Sequence, residues 1–281
     1  MEGEPSRTAM ATAVARARHR LYDDAPWVLD DPFALVLVGP IWRLIERRTE
    51  RHYPEPVDRA YRAGIVLRSH YAENRLVAGE FAQYVVLGAG LDAFVWRRPD
   101  LVRTLRVFEV DHPASQRGKR DRAAELGLPE PGNVAYVPVD FEVDTLADRL
   151  DDAGFDWSAR TCFSWLGVSM YLTVDAIDTT LRTVARCGPG SEIVLTYAPD
   201  DEALDDIGRQ FDQIAGRLAA DAGEPIVTHL SRLEAESIAT GAGLEVADHP
   251  SIEDLVDRYL SERRDGLRPY TAEALLTARV P

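Results

Sequence analysis

Gln83-Tyr84-Val85-Val86-Leu87-Gly88-Ala89-Gly90 is the stretch on which the fold turns. Tyr84 to Leu87 is a short apolar run rich in β-branched residues, and the glycines end it in a tight turn, so it reads as a buried strand. The same pattern recurs downstream. Residues 105–110, 134–139, 161–166 and 192–197 read as further strands. Residues 113–126, 141–153 and 174–186 between them carry helical spacing. Strands alternating with helices of this length predict an α/β fold, a doubly wound and mostly parallel sheet with helices on both faces.

Upstream of Gln83 the chain reads as helical. Residues 8–21, 41–52 and 57–79 have helical composition or spacing, Asp30-Asp31-Pro32 looks like a helix start, and Tyr53-Pro54-Glu55-Pro56 breaks the pattern. Residues 1–80 are therefore expected to form a helical lid over a main domain of residues 81–281, the two making one compact unit. Beyond Tyr197 the rhythm loosens. An inserted segment at about 199–228 contains a helix (200–222) with an acidic start. Helices at 231–240 and 252–260 and strands at 244–249 and 274–280 complete the expected order.

The net charge of −15 argues against a nucleic-acid partner, since phosphate backbones are bound by neutralising Lys and Arg. It also argues against an anionic membrane surface, and no stretch has the apolar length of a membrane span. Cys162 and Cys187 each sit in apolar sequence without a second ligand at metal spacing, so no metal is expected and a reducing, cytoplasmic setting fits. Arg16-Ala17-Arg18-His19-Arg20 reads as the solvated face of an early helix.

Three strand tips carry chemistry. Gly88-Ala89-Gly90 lets backbone approach a ligand, and a helix after it would offer free N–H groups. A third glycine is missing, because Ala93 follows Leu91-Asp92, which tilts away from a pyrophosphate ligand. Glu109 and Asp111, 21 and 23 residues beyond Gly88, place carboxylates where ribose hydroxyls can be held. Asp140-Phe141 follows the third strand, where a carboxylate can meet an adenine amino group or cap the next helix. Together these tips describe a nucleoside site at the carboxyl edge of the sheet. Tips of this kind do not separate an adenosyl ligand from a nicotinamide one.

Val85 to Asp92, Phe108-Glu109-Val110-Asp111-His112-Pro113, Val139-Asp140-Phe141 and Ser164 to Leu172, in this order, resemble the leucine carboxyl methyltransferase family. The nearest branch is its actinobacterial members, including the O-methyltransferases of polyketide biosynthesis, and the likeness runs from about Pro5 to about Tyr197. The resemblance implies a class I, Rossmann-like methyltransferase fold, S-adenosylmethionine as cofactor with S-adenosylhomocysteine as product, and transfer to oxygen, often of a carboxylate. It places Gly88 by the methionine part, Asp111 by the ribose, and Asp140 with Phe141 by the adenine. Ala89, Gly90, Asp92, Glu109 and Leu166 complete the cofactor set. An arginine ahead of the glycine strand holds the cofactor carboxylate in the family; Arg68 fills that place here, with Arg62 as the alternative. One position departs from the family. The glutamate after the fourth strand is absent from Trp165-Leu166-Gly167, so a phosphatase tail is not implied as substrate.

The acceptor is expected to be a small molecule, such as a secondary metabolite, or a peptide. A carboxylate acceptor needs no base. A hydroxyl acceptor would draw on Tyr171, His112 or His70, with His112 also suited to cap the helix that begins at Pro113. Trp27, Trp42, Tyr61, Phe211 and Thr228 are candidate pocket residues. Two alternatives stand beside this reading. A nicotinamide-dependent oxidoreductase would call for a third glycine and a Tyr-x-x-x-Lys relay, yet Lys119 is the single lysine. A non-catalytic module would bind the cofactor without transfer.

Overall fold

The computed structural model describes residues 7–140, 144–221 and 223–281. The chain opens with four helices, α1 (Arg7–Tyr22), α2 (Ala34–Val38), α3 (Trp42–His52) and α4 (Glu55–Ala78). Strand β1 (Gln83–Leu87) follows, then α5 (Phe94–Arg97), α6 (Pro99–Val102), β2 (Arg106–Asp111), α7 (Pro113–Glu125), β3 (Val134–Pro138) and α8 (Leu146–Asp152). The second half runs β4 (Thr161–Trp165), α9 (Val174–Val184), β5 (Glu192–Pro199), α10 (Asp206–Asp221), β6 (His229–Leu230), α11 (Arg232–Gly241), β7 (Glu245–Asp248), α12 (Ile252–Tyr259) and β8 (Ala274–Arg279).

The sheet order is β3-β2-β1-β4-β5-β8-β7, with the two-residue β6 added beside the end of β5. Strands β3 through β5 are parallel, whereas β8 runs antiparallel to β5 and pairs Tyr197 with Ala274. This reversal puts the start of β8 at the edge where the parallel strands end. The expected doubly wound sheet is thus present, and of its two late strands β8 runs against the others while β7, antiparallel to β8, shares their direction.

Alternation along each strand divides the core into two layers. Val85, Leu87, Phe108, Val110, Phe163, Trp165, Ile193 and Leu195 face Leu150 of α8, Ile177 and Leu181 of α9 and Ala239 of α11. Tyr84, Val86 and Val107 face the other way, toward Phe94, Trp96 and Ala123. Side-chain caps fix several helix starts. Thr173 opens α9, and Ser231 and Ser251 form capping boxes with Glu234 and Asp254 at α11 and α12.

Two expectations about the first eighty residues are corrected. Helix α4 is a layer of the sheet as much as part of a lid: Val66, Leu67 and Tyr71 pack with Val194 and Leu275, and Arg75 pairs with Glu192 at 2.7 Å. The basic run in α1 is not a solvated face. Arg16, Arg18 and His19 are buried, with Arg16 on Asp31 and Leu91 O, Arg18 on Asp58, and His19 on Asp23. Only Arg20 of that run is exposed. The Arg18–Asp58 ion pair ties α1 to α4, and the Arg16 hydrogen bond to Leu91 O ties it to the loop after β1.

Candidate active site

The turn after β1 is built from glycine for two separate reasons. Gly88 has φ +70°, and a Cβ there would stand 2.4 Å from Val168 Cγ2 in the loop after β4. Gly90 has φ +47°, and a Cβ there would stand 3.0 Å from Ala9 Cβ, because the start of α1 lies across the turn. The N–H groups of Gly88 and Ala89 both donate to Val110 O, at 2.9 and 3.1 Å. Gly90 N–H donates to Asp111 Oδ2 at 2.5 Å, and Asp111 Oδ1 accepts from His112 N–H at 2.7 Å.

No long helix follows the turn, contrary to the expectation of free N–H groups there. The four-residue α5 begins at Phe94, whose N–H is capped by Asp92 Oδ1 at 2.6 Å. Burial alone would raise the Asp92 carboxyl, but Arg97, Arg16, Lys119 and the Phe94 N–H hold it below its usual range. Asp111 behaves oppositely. Burial pushes its carboxyl up, against the pull of the Gly90 and His112 N–H donors.

A cleft of about 1010 Å³ opens at this edge of the sheet. Ligand sites occupy roughly 300–1,000 Å³, so the cleft stands at the upper end of that range. Arg68, Gly88, Ala89, Gly90, Asp92, Asp111, His112, Leu166 and Tyr171 all line it. Part of its wall is aromatic. Tyr53, Tyr61, Phe211 and Tyr270 stack in a chain, with Phe211 and Tyr270 centroids 4.3 Å apart and Tyr61 and Phe211 5.2 Å apart. Thr8 Oγ1 donates to Glu224 Oε2 at 2.7 Å, joining α1 to the segment after α10 beside the cleft.

Several sequence candidates sit elsewhere. Glu109 does not line the cleft; its carboxylate faces α7, with Lys119 Nζ 2.7 Å from Oε2, and both side chains are 2% exposed. It lies within β2 while Asp111 lies at its tip, so only Asp111 reaches the edge. Asp140 also lies off the cleft, its N–H donating to Asp144 Oδ2 at 2.9 Å, and Phe141 falls outside the described residues. Arg62 spends its donors on Asp23 and Asp58 away from the cleft. His70 packs edge-on against Tyr259, Trp42 packs on α1, Trp27 sits under Arg20, and Thr228 bonds to Leu172 O, all off the cleft. Tyr61 and Phe211 are the two expected pocket residues that line it.

The proposed bases read differently in three dimensions. His112 Nδ1 accepts from Ala114 N–H at 3.2 Å, capping α7, so in the neutral ring the proton lies on Nε2. Burial pushes the Tyr171 phenol up to about 12, which keeps it protonated at neutral pH. His52, which no motif signalled, lines the cleft and pairs Nδ1 with Arg48 O at 2.7 Å, leaving an Nε2 lone pair. Glu273, Tyr270 and Tyr53 were likewise missed, because they come from a loop and an interhelical break rather than from strand tips. Among the described residues no cluster of His, Cys, Asp and Glu is arranged to hold a metal ion. No described helix is long and apolar enough to cross a membrane.

Comparison with known proteins gives the family and the fold. The family model described as leucine carboxyl methyltransferase matches residues 9–185. A Bacillus subtilis (strain 168) protein bearing the name S-adenosyl-L-methionine-dependent methyltransferase YktD is 33% identical, over 96% of this chain and 96% of its own. A Mycobacterium marinum protein with the same S-adenosyl-L-methionine-dependent methyltransferase designation is 32% identical over 76% of this chain and 74% of its own. Two crystal structures share the fold: one titled a methyltransferase from Thermobifida fusca (TM-score 0.65, 17% identity, 99% and 95% coverage) and a DUF574 family protein from Streptomyces avermitilis (TM-score 0.61, 15% identity, 100% and 99% coverage).

Proposed function

The chain belongs to the leucine carboxyl methyltransferase family, and from that premise we propose that its cleft transfers a methyl group from S-adenosylmethionine to an oxygen of a small acceptor. Dependence on S-adenosylmethionine is the common property of its named relatives, which sets the nicotinamide alternative aside. Oxygen as the acceptor atom, and a carboxylate before a hydroxyl, are our own reading.

The observation that carries it is one cleft lined by two unlike groups of residues. One group is Gly88, whose Cβ-free approach leaves backbone accessible, with the Asp111 carboxylate; the other is the aromatic wall of Tyr53, Tyr61, Phe211 and Tyr270. The polar residues of the cleft fit the cofactor: Asp111 would accept from the ribose hydroxyls and Arg68 would meet the carboxylate. When bound, S-adenosylmethionine supplies a methyl group on a positively charged sulfur, which leaves as a neutral thioether.

The protein's share is alignment and exclusion of water. Orientation alone can be worth roughly 7–11 kcal/mol of a bimolecular barrier. The aromatic wall offers flat apolar surface to an organic acceptor, and α1, α3 and the segment after α10 shield it from solvent. Tyr171, protonated at neutral pH, can donate a hydrogen bond to an acceptor oxygen but cannot take its proton. His112 is committed to capping α7. A carboxylate acceptor, ionised already, asks least of these side chains.

The test is formation of S-adenosylhomocysteine with a panel of carboxylic acids, phenols, alcohols and amines. Turnover with oxygen acceptors, carboxylic acids foremost and yielding alkali-labile methyl esters, supports the reading. Turnover confined to amines would replace it with N-methylation. Tight cofactor binding without turnover on any acceptor would favour the non-catalytic module.

A further inference from the structure

The antiparallel run of β8 delivers a residue to the site that no strand-tip motif contains. Glu273 immediately precedes β8, and the pairing of Ala274 with Tyr197 puts it at the edge where β1, β4 and β5 end. Its Oε1 lies 2.6 Å from Arg68 Nη1, and its Oε2 accepts from Tyr270 Oη at 3.1 Å. Both side chains line the cleft and are largely buried, Arg68 at 12% and Glu273 at 7% exposure. The Arg68 guanidinium lies over Gly167, where a Cβ would stand 2.7 Å from Nη2. Gly167 adjoins Val168, the residue pressed against Gly88, so the pair sits at the junction of the β1 and β4 tips.

This pair is incompletely satisfied. Arg68 spends Nη1 on Glu273, while Nε and Nη2 have no hydrogen-bond partner among the described residues. A nearly buried ion pair carries a desolvation cost that full hydrogen bonding must offset. Open donors on one pole and an acceptor with spare lone pairs on the other suit a ligand that is itself a zwitterion. The amino-acid end of the methyl donor has that character, one carboxylate and one ammonium on a single carbon. Of the other acids on the cleft, Asp92 caps α5, Asp111 holds Gly90 and His112, Glu73 pairs with Arg97 and Arg98, Glu224 accepts from Thr8, Asp212 pairs with His229, and Asp221 is exposed at the end of α10.

We propose that Glu273 binds the α-ammonium of S-adenosylmethionine while Arg68 binds its carboxylate, so that the last strand supplies the acid that the tip of β4 lacks. The assignment rests on the methyl-donor reading above, and Glu273 is its new element. Glu273 touches the cofactor and takes no proton in the transfer.

Titration calorimetry on the full chain tests it with two ligands: S-adenosylhomocysteine, and 5′-methylthioadenosine, which lacks the amino-acid end. Glu273→Gln keeps size and removes charge. It is expected to weaken S-adenosylhomocysteine about ten- to a hundred-fold, the range for a charged hydrogen bond, and to leave 5′-methylthioadenosine within about twofold. Equal weakening of both ligands, or of neither, overturns the assignment. A second measurement needs no variant. The wild-type chain should bind S-adenosylhomocysteine at least about tenfold more tightly than its analogue with hydrogen in place of the ammonium group; equal affinity overturns the proposal. A wild-type chain that binds none of these ligands would overturn the methyl-donor reading with it.

Discussion

Lys119 Nζ lies 2.7 Å from Glu109 Oε2, and this pair, closed off between β2 and α7, withdraws Glu109 from the ligand edge and leaves Asp111 as the acid at the tip. Glu109 Oε1 has no hydrogen-bond partner among the described residues, so Lys119 is the main compensation for the buried charge. Lys119→Met should therefore cost about 3–5 kcal/mol, the penalty of leaving a buried charge unpaired. Urea unfolding checks this. Adding Glu109→Gln should recover much of the loss, and the folded double variant should bind S-adenosylhomocysteine as the wild type does.

Asp111 gives the cleft a pH dependence. Only its ionised form can accept from both ribose hydroxyls, and burial raises its carboxyl. Ligand binding favours the deprotonated form, so affinity is full above the raised pKa and falls as pH drops through it. The fall should begin at higher pH than an ordinary aspartate of about 3.9 would give. Asp111→Asn should bind more weakly with a flat profile across the same range, as read by calorimetry over a pH series.

Gly88→Ala should harm both stability and binding. The left-handed backbone costs a side chain about 1–2 kcal/mol, and its Cβ would meet Val168 Cγ2 at 2.4 Å. Val168→Ala in the same chain should relieve the clash and leave the backbone part, which paired thermal melts would separate.

These variants also mark where the sequence stops being informative. The strand and turn around Gly88 were legible because apolar runs and glycines act locally. Choosing Asp111 over Glu109 required knowing that α7 packs Lys119 against the strand interior. Arg16 and Arg18 looked solvent-bound because their partners, Asp31 and Asp58, lie on other elements. Tyr71 and Leu67 of α4 pack on strands far along the chain, so that helix read as lid alone. Glu273 was invisible for a topological reason: strand direction decides whether a residue before or after a strand reaches the ligand edge.

Tyr171→Phe should lower kcat/KM for a carboxylic acid acceptor by about tenfold, the worth of one hydrogen bond. Because burial holds the phenol up to about 12, the wild-type pH–rate profile should show no rise on its account across the neutral range. A wild-type profile climbing through neutral pH and abolished in His52→Ala would instead identify a hydroxyl acceptor and a histidine base.

Titration calorimetry with S-adenosylmethionine tests the central claim most directly, run beside NADH and NADPH and repeated on Asp111→Ala. The account predicts a single site for S-adenosylmethionine, weakened in Asp111→Ala, and no heat from the nicotinamides. Absence of S-adenosylmethionine binding, or binding that Asp111→Ala leaves untouched, would contradict the placement of the methyl donor in this cleft.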